Sequence, residues 1–566
     1  MAQTIPATSQ PEMDEALRTL QQSKKDFAGL SVPARIELIE RLTQELQSVE
    51  EDWIAAACDA KGIPRNTPAE GEEWLAGPMV THRNLRLLRQ TLIDLRDQGQ
   101  PQLPKNAVRI VGNQTVVRVF PQNTYDRLLY QGFSGEIWMQ EGVTPENLSE
   151  NMAEAYRETD PKGAVSLVLG AGNVSSIGPM DVLYKLFVEN EVCILKMNPV
   201  NEYVGPFIEK GFRTLVEAGY LRVVYGGADV GKYLCTHEDV ENIHITGSDK
   251  THDMIVWGPP GPEREQRMTA GTPLNKKPIS SELGNVSPVI IHPGSRPWSQ
   301  GQLRFQAQNV AAMVANNGSF NCNAAKLVIV HDEWEQKASF MAEVERALRE
   351  VPARKAYYPG AQQRYDTFLS AHPSAQPLSE RSDDVVPWTL IRDVDSSDRA
   401  NICFTTEAFC GVLSQTALSA ETPADFLRKA VDFCNEDVWG TLSVTLVVHP
   451  REKGPEIEQA IADLRYGTVG VNHWPALAYG LCCTTWGAFP GHTLEDIQSG
   501  RGVVHNTLLF DKPQKTVIRG PFVVRPKPPW FASHGRTHLL GPRLTAFEAS
   551  PSAFKLPGII FNAFLG

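Results

Sequence analysis

The 566-residue sequence lacks the features of a secreted, membrane-spanning or nucleic-acid-binding protein. Its nine cysteines are scattered and odd in number, so they give no paired disulfide framework, and we expect a reducing compartment, the cytoplasm. Lys and Arg number 54 against 66 Asp and Glu, and the net charge of −12 predicts no nucleic-acid partner. No apolar run approaches the roughly 18 residues that span a bilayer. The N-terminus has no signal-peptide pattern.

A metal centre is also not expected. Cys482 and Cys483 are adjacent and cannot chelate one ion together. Cys235 and His237 are close in sequence, but no second pair is spaced to complete a zinc site. These residues therefore favour structural roles.

Strand-like and helix-like segments alternate through the middle of the chain. A series of βαβ units predicts parallel sheets covered by helices on both faces. The fold class expected is α/β, with two doubly wound, Rossmann-like parallel-sheet domains and a small β element. The strand-like runs lie at 164–169, 191–196, 221–225, 243–245, 326–330 and 442–448. Helices are expected over 13–62, 182–188, 204–218 and 333–350, and a hairpin over 108–120.

Cys322 is the most informative single residue. It follows the Asn/Gly/Ser-rich loop 316–321 and precedes the apolar run 326–330. A thiol on a turn that is reachable from a cleft, with backbone N–H groups lowering its pKa, is suited to nucleophilic chemistry. A lone cysteine is more often an inert core residue, so its interpretation depends on its partners.

Polar residues follow several of the predicted strands. Asn173 lies on a tight turn after the first strand, where its amide is able to point into a cleft. Its loop, Gly170-Ala-Gly172, fails the dinucleotide fingerprint because Ser175 replaces the third glycine. Lys196 ends the second strand, where a cation can bind ribose hydroxyls or a 2′-phosphate.

Two further turns and two carboxylates complete the set. The turns Gly226–Gly231 and Thr246-Gly247-Ser248 precede helices and offer N-terminal amides to a phosphate. A desolvated Glu282, before Leu283-Gly284, has the raised pKa of a general base. Glu407 and Phe409 are two residues apart in an extended segment and so lie on the same side of it. There the carboxylate can hold the hydroxyl groups of a sugar while the ring flanks a base. Each feature alone is more simply a turn, a solvated carboxylate or a core residue.

Taken in order, these segments resemble the NAD(P)-dependent aldehyde dehydrogenase superfamily from about residue 17 to about residue 522. The order of the motifs carries this resemblance, since none is specific alone. The loop before Cys322 departs from the family's Gly-Gln-x-Cys by one residue, and Asn285 and Cys410 replace family glycines. Leu508–Val517 is similar to the strand that joins subunits in that family, which implies a homodimer or homotetramer.

The resemblance also implies six segments along the chain. Residues 1–105 hold the N-terminal helices of the cofactor domain plus an insertion, and 106–140 hold the β-hairpin of a bridging and oligomerisation element. Residues 141–290 form the NAD(P)-binding domain and 291–480 the thiol-bearing catalytic domain. Residues 481–524 return to the cofactor domain and include the oligomerisation strand, and 525–566 form a C-terminal tail.

The resemblance implies a role for each residue. Cys322 is the nucleophile, Asn173 and the backbone N–H of Cys322 stabilise the oxyanion, and Glu282 activates the hydrolytic water. Lys196 and Glu407 hold the two riboses of NAD or NADP. The other residues implied in cofactor binding are Gly226, Gly231, Thr246, Gly247, Ser248, Leu283, Gly284 and Phe409. The product is a carboxylic acid made from a small-molecule aldehyde; a coenzyme A-acylating enzyme and a weakly catalytic cofactor-binding scaffold are the alternatives.

Overall fold

Helices and strands alternate through most of the computed structural model, which describes residues 5–452 and 454–566. The strands are β1 (Val108–Val111), β2 (Gln114–Phe120), β3 (Ser134–Met139), β4 (Val165–Leu169), β5 (Val192–Lys196), β6 (Leu221–Val224), β7 (Asn242–Thr246), β8 (Ile279–Glu282), β9 (Pro288–Ile291), β10 (Leu327–His331), β11 (Gln376–Pro377), β12 (Thr389–Val394), β13 (Val412–Leu418), β14 (Ser443–Val447), β15 (Thr468–Val471), β16 (Trp486–Gly487), β17 (Gly500–Arg501), β18 (Val503–Val504) and β19 (Pro513–Arg519).

The α-helices are α1 (Gln10–Ala28), α2 (Val32–Gln47), α3 (Glu50–Lys61), α4 (Pro68–Trp74), α5 (Val80–Gln98), α6 (Thr124–Leu129), α7 (Ile177–Phe187), α8 (Gly205–Gly211), α9 (Arg213–Glu217), α10 (Ala228–Thr236), α11 (Asp249–Val256), α12 (Pro262–Ala270), α13 (Gln300–Ala315), α14 (Lys337–Arg349), α15 (Ala361–Ala371), α16 (Ile402–Thr405), α17 (Pro423–Glu436), α18 (Pro455–Asp463), α19 (Ala476–Leu481), α20 (Thr537–Ala549) and α21 (Leu556–Phe564).

The first sheet has six strands in the order β17-β8-β7-β4-β5-β6. Strands β4 to β8 are parallel to their neighbours, and only β17 runs antiparallel, against β8. The central strand β4 and its neighbour β5 are almost wholly apolar, as expected for strands buried on both faces. Helix α1 packs on β4, β5 and β6 through its buried apolar side. This doubly wound sheet places the carboxyl ends of β4, β7 and β8 side by side.

The second sheet has eleven strands in the order β1-β2-β3-β19-β15-β14-β9-β10-β13-β12-β11. Its strands from β15 to β12 are parallel and carry the chain segment that contains Cys322. Strands β1, β2, β3 and β19 form an antiparallel meander at one end. The α/β fold class expected from the alternating pattern is confirmed.

The segment expected to join subunits lies inside this sheet. Strand β19 overlaps the second half of the segment Leu508–Val517 and continues to Arg519. It hydrogen-bonds to β3 on one side and to β15 on the other. Both edges of β19 are therefore occupied within one chain, and the role of Leu508–Val517 in joining subunits stays a prediction. Strand β1 is the edge of the meander, and its side chains are largely exposed. The oligomeric state stays a prediction.

Helix boundaries differ from the sequence expectation at two places. The helix expected over 204–218 is two short helices, α8 and α9, because Phe212 leaves the helical region at φ −123° and ψ 31°. The helix expected over 333–350 begins only at Lys337, since Trp334 forms a turn with His331 first. The hairpin of β1 and β2 and the helices within 13–62 match the pattern.

The tail folds back onto the body of the protein. Helices α20 and α21 contact each other, and α20 packs on α4 and α5. Within the described residues, no helix is both long enough and apolar enough to cross a membrane.

Candidate active site

The candidate site lies where the carboxyl ends of β4, β7 and β8 face the loop that precedes β10. Asn173 follows β4, Thr246 ends β7, and Glu282 ends β8. Cys322 lies on the facing loop, which the second sheet supports. In open α/β sheets this edge is where ligands bind. The structure brings together the three residues expected to be catalytic: Asn173, Glu282 and Cys322 border the same space.

Burial sets the electrostatics of Cys322 and Glu282. It raises the pKa of Glu282 to about 8, and the carboxylate of Asp181 adds to the effect. It also raises the pKa of the Cys322 thiol well above its usual range, and the neighbouring Glu282 and Glu407 raise it further. The expectation of a lowered thiol pKa is therefore wrong for this state: desolvation and two carboxyls outweigh the nearby Lys326 ammonium.

The loop of Cys322 is fixed by Asn317, which sequence reasoning missed. Asn317 has φ 52°, a left-handed conformation that Asn tolerates, next to Gly318 at φ 67°. Its side-chain amide donates to the carbonyls of Asn173 at 2.9 Å and Phe320 at 3.2 Å. The Asn317-Gly318 dipeptide was a visible turn signal. Its partners, however, lie far away in sequence.

Asn173 is held by the same network. Its side-chain Nδ2 donates to the carbonyl of Phe320 at 2.9 Å, just before Cys322. Its backbone carbonyl accepts from Lys61 Nζ at 3.1 Å and from Tyr357 OH at 3.0 Å. Among the described residues, no backbone acceptor pairs with the N–H of Cys322. An amide held in place and a free N–H beside one thiol are the donors that an oxyanion needs.

Lys61 is a second residue that the sequence did not single out. Its buried ammonium is paired with Glu73 at 2.8 Å and donates to Asn317 Oδ1 at 3.0 Å. The side chain links α3 and α4 to both the Asn173 turn and the Cys322 loop. No local sequence signal marks it, because its partners come from three distant segments.

Lys326 connects the Cys322 loop to Glu407. Its Nζ donates to the carbonyls of Asn321, Cys322 and Ala324, each at 3.1 Å. It also pairs with Glu407 Oε1 at 3.2 Å. Burial raises the pKa of Glu407, although the Lys326 ammonium opposes this effect. One cation thus fixes the position of the loop and of the carboxylate.

Glu407 and Phe409 have different neighbours: Glu407 lies against Gly284, and Phe409 lies in an aromatic cluster. A Cβ at Gly284 would meet Glu407 Oε2 at 2.2 Å, so only glycine allows the carboxylate to lie there. The Phe409 ring packs on Tyr358 at 5.0 Å and on Phe320 at 5.8 Å between ring centroids. These aromatic contacts connect Phe409 to Phe320, which lies two residues before Cys322.

A cleft of about 1500 Å³ opens on one side of Cys322. Its walls include the following residues expected to bind a cofactor: Lys196, Gly231, Thr246, Gly247, Ser248, Gly284, Glu407 and Phe409. Gly227 and Ala228, at the start of α10, also line it, whereas Gly226 does not. Leu283 is fully buried among Ile245 and Ile497, so its side chain faces the core instead of the cleft.

The donors of this cleft fit a dinucleotide. Burial lowers the pKa of Lys196, and no hydrogen-bond acceptor or carboxylate within the described part of the chain is paired with its ammonium. The helices α10 and α11 begin beside the cleft at Ala228 and Asp249. A buried cation without a partner, two helix starts and a carboxylate are suited to hydroxyl and phosphate groups.

A second cavity of about 390 Å³ reaches Cys322 from another side. Asn173, Glu282 and Cys322 line both this cavity and the cleft. The other walls come from the segments 72–80 and 128–133, from 474–481, and from the tail. The thiol therefore lies where two separate spaces meet. Within residues 5–452 and 454–566, no cluster of His, Cys, Asp and Glu has the arrangement of a metal site.

Comparison with known proteins gives consistent matches. Residues 135–363 match the model of the aldehyde dehydrogenase family. Aldehyde dehydrogenase 1 of Tanacetum cinerariifolium is 23% identical over 314 residues, which cover 54% of this chain and 57% of that protein. The chain thus matches little more than half of that relative's length. Glu407 and Phe409 lie beyond the residues matched by the family model.

Solved structures of low sequence identity share the fold. Aldehyde dehydrogenase 21 of Physcomitrella patens, in complex with succinate, has a TM-score of 0.61 at 13% identity, covering 91% of each chain. An NADP-dependent glyceraldehyde-3-phosphate dehydrogenase from Bacillus halodurans C-125, complexed with NADP, has a TM-score of 0.60 at 16% identity. That match covers 91% of this chain and 92% of the other.

Proposed function

We propose a function for this chain on the premise that it belongs to the aldehyde dehydrogenase superfamily: it oxidises an aldehyde to a carboxylic acid with NAD or NADP. The observation that carries the proposal is the position of Cys322, with Asn173 and Glu282, at the junction of two cavities. One cavity suits a dinucleotide and the other an organic substrate. A nucleophile between them is the arrangement that this reaction requires.

The dinucleotide would be held in the cleft by Lys196, Glu407, Phe409 and the starts of α10 and α11, and when bound it supplies the acceptor for two electrons. Lys196 offers its ammonium to the hydroxyls of one ribose, and Glu407 its carboxylate to those of the other. Phe409 flanks the cleft near the thiol. Pro199, in place of an acidic residue that would repel a 2′-phosphate, leaves both NAD and NADP possible.

The residues around the thiol have distinct roles in the proposed reaction. Glu282, with a pKa of about 8, accepts the proton of the neighbouring Cys322 thiol, and the thiolate then attacks the carbonyl carbon. Asn173 Nδ2 and the backbone N–H of Cys322 donate to the oxyanion, each contributing on the order of 3 kcal/mol. Oxidation leaves a thioester on Cys322, and Glu282 releases the first proton to solvent. As a carboxylate again, Glu282 takes a proton from water, whose oxygen adds to the thioester carbonyl. The Cys322 thiolate then leaves, which releases the acid and frees the sulfur to be protonated again.

Glu282 favours water over coenzyme A as the acyl acceptor. A thiol acceptor needs no base beside the thioester, whereas hydrolysis does. Acid yield with and without coenzyme A distinguishes the two routes, and we expect no increase with coenzyme A.

Replacing Cys322 tests the function directly. Cys322→Ala is expected to abolish NAD(P)H formation from aldehydes, because no other group at the junction can form the thioester. The matched control is Cys434→Ala, a buried cysteine in the core of the second sheet, which should retain activity. Full activity of Cys322→Ala would exclude the proposal. So would inactivity of the folded parent across aldehydes with both cofactors.

A further inference from the structure

The walls of the second cavity differ sharply from those of the cofactor cleft. Apart from the end at Cys322, they are mainly apolar, with contributions from Leu75, Met79, Leu128, Phe133 and Trp474. The cleft, in contrast, carries lysines, carboxylates and glycine turns. A cavity of about 390 Å³ is within the size range that encloses a small organic molecule. Its chemistry is suited to a hydrocarbon group.

The acidic and histidine side chains of this cavity are paired, neutral or confined to its end near the thiol. Glu72 is paired with Arg354 at 3.2 Å and accepts from the backbone N–H of Asn317. Burial lowers the pKa of His505 to about 4, so its ring is neutral at pH 7. Asp181 accepts a hydrogen bond from Thr246 and lies near Glu282, at the end of the cavity that borders the thiol.

The cations of the lining lie in one segment of the tail. Arg525 is exposed, and Lys527 is half-buried and donates to the carbonyl of Ser533 at 2.9 Å. Among the described lining residues, these two are the only lysine or arginine side chains. A substrate with a distal carboxylate or phosphate would have to reach them, whereas an apolar chain needs no such partner.

The tail supplies much of the apolar wall. Trp530, Leu540, Leu544, Ile559 and Phe564 face the cavity from α20, α21 and the segment before them. Leu540 and Ile559 belong to one small core with Phe547. The wall is held in place because Glu548, on α20, forms buried ion pairs with Arg83 and Arg86 of α5. The tail is therefore a fixed side of the cavity.

We propose that the second cavity selects aldehydes with a medium- or long-chain apolar group, and that the C-terminal helices α20 and α21 form part of the binding surface for that group. The proposal rests on the proposed function, since it names the substrate class of the same site. Each methylene that leaves water for the apolar wall is expected to raise kcat/KM by roughly two- to fourfold until the cavity is filled.

The first test measures kcat/KM for butanal, octanal, decanal and 4-oxobutanoate with saturating dinucleotide. The expected result is a rise of at least tenfold from butanal to decanal, with 4-oxobutanoate below butanal. A flat or falling series, or a preference for 4-oxobutanoate, would overturn the apolar substrate class while leaving aldehyde oxidation intact. If no aldehyde is oxidised, the proposed function itself fails.

A binding measurement that needs no turnover separates these failures further. Labelling of Cys322 by a thiol reagent is followed in the presence of 1-butanol or 1-decanol, with Cys322→Ala as the blank. Decanol should protect the thiol at a concentration at least tenfold lower than butanol. Equal protection, or none by decanol, would count against an apolar binding surface even if the enzyme were inactive.

Variants of α21 test the role of the tail. Ile560 and Phe564 line the cavity and are 37% and 67% exposed, so Ile560→Glu and Phe564→Glu do not bury a new charge. Each should lower the decanal-to-butanal ratio of kcat/KM by at least fivefold. The matched control is Phe554→Glu, on a residue that is 96% exposed and outside the lining, which should leave the ratio unchanged. An unchanged ratio in both lining variants would remove the tail from the proposal.

Discussion

At Cys322 and Glu282, burial favours the neutral forms of both groups. The carboxyl has a pKa of about 8, and the pKa of the thiol lies well above its usual range. Because the two side chains perturb each other, their protons leave in steps that belong to the pair. In the proposed reaction, the thiolate therefore forms by proton transfer within the pair and not through a lowered thiol pKa.

This pair predicts the pH dependence of turnover. Since the active form needs the Glu282 carboxylate, kcat should rise by roughly tenfold per pH unit from pH 6 and level off above about 8. Glu282→Gln should lower steady-state kcat on the order of a hundredfold and remove the rise near 8. The measurement is NAD(P)H formation between pH 6 and 9.5. A profile that is flat over this range in the parent protein would contradict the prediction.

Single residues also show what the sequence reveals and what it conceals. Asn173, Glu282 and Cys322 were recognisable because each follows a strand or precedes one, and strand ends meet at one edge of a sheet. The environment of Cys322 was not, since desolvation depends on side chains from the whole fold. Lys61, Asn317 and Lys326 were missed because their bonds connect distant segments. Leu283 was expected to contact the cofactor, but its side chain packs in the core with Ile245 and Ile497.

At the scale of elements, α3 and α4 contact the Asn173 turn and the loop that contains Cys322. Lys61, at the end of α3, joins Glu73 of α4 to the Asn173 carbonyl and the Asn317 side chain. These contacts fix the relative position of the oxyanion donor and the thiol. Lys61 itself is not among the residues that line the cleft or the second cavity, so its effect on chemistry would be one of positioning.

Replacing Lys61 tests this positioning role. Lys61→Met is expected to lower kcat by on the order of tenfold to a hundredfold with little change in the KM for the dinucleotide, because a displacement of about 1 Å at the donors suffices. The same variant leaves Glu73 buried and unpaired, and so it loses stability too.

The double variant Lys61→Met/Glu73→Gln separates the two effects. It removes the unpaired charge and should recover most of the melting temperature while kcat stays low. If kcat recovers together with the melting temperature, Lys61 is structural only. Both quantities are measured on the same preparations.

At the scale of the whole molecule, a buried ion network fastens the tail to the body. Glu548 pairs with Arg83 at 2.8 Å and with Arg86, and Arg83 also pairs with Asp126 at 3.3 Å. Burial alone would raise the pKa of Glu548, but the two guanidinium groups, Arg83 first, hold it below its ordinary value. The contribution of this carboxylate to stability is complete above that ordinary value and is lost as the pH falls through the lower, folded-state pKa.

Glu548→Gln is expected to destabilise the protein by about 3 kcal/mol at pH 7, since it leaves Arg83 buried with an incomplete set of partners. Urea unfolding at pH 7 measures the change. The control is Asp366→Asn, which breaks an exposed pair with Arg381 and should change the free energy of unfolding little, because water screens the pair. A loss for Glu548→Gln no larger than that of the control would show that the tail is not held by this network.

The two parallel series of strands were predictable from the sequence, whereas the strand pairing that completes the second sheet was not. Alternating strand-like and helix-like segments indicate parallel strands, because the period of the apolar residues is a local property. The pairing of β19 with both β3 and β15 depends on contacts across the chain, whereas the family resemblance had implied a strand that joins subunits. The completed sheet means that a partner is not needed to satisfy the edges of β19.

The meeting of two cavities at one thiol has a consequence for the timing of a catalytic cycle. A dinucleotide that enters through the cleft does not have to pass the mouth lined by the tail, and an acid that leaves by that mouth does not have to pass the dinucleotide. In the proposed reaction, neither product would therefore obstruct the exit of the other. The order in which they depart would be set by their separate rates of release, and a fresh aldehyde would be able to enter before or after the dinucleotide is exchanged.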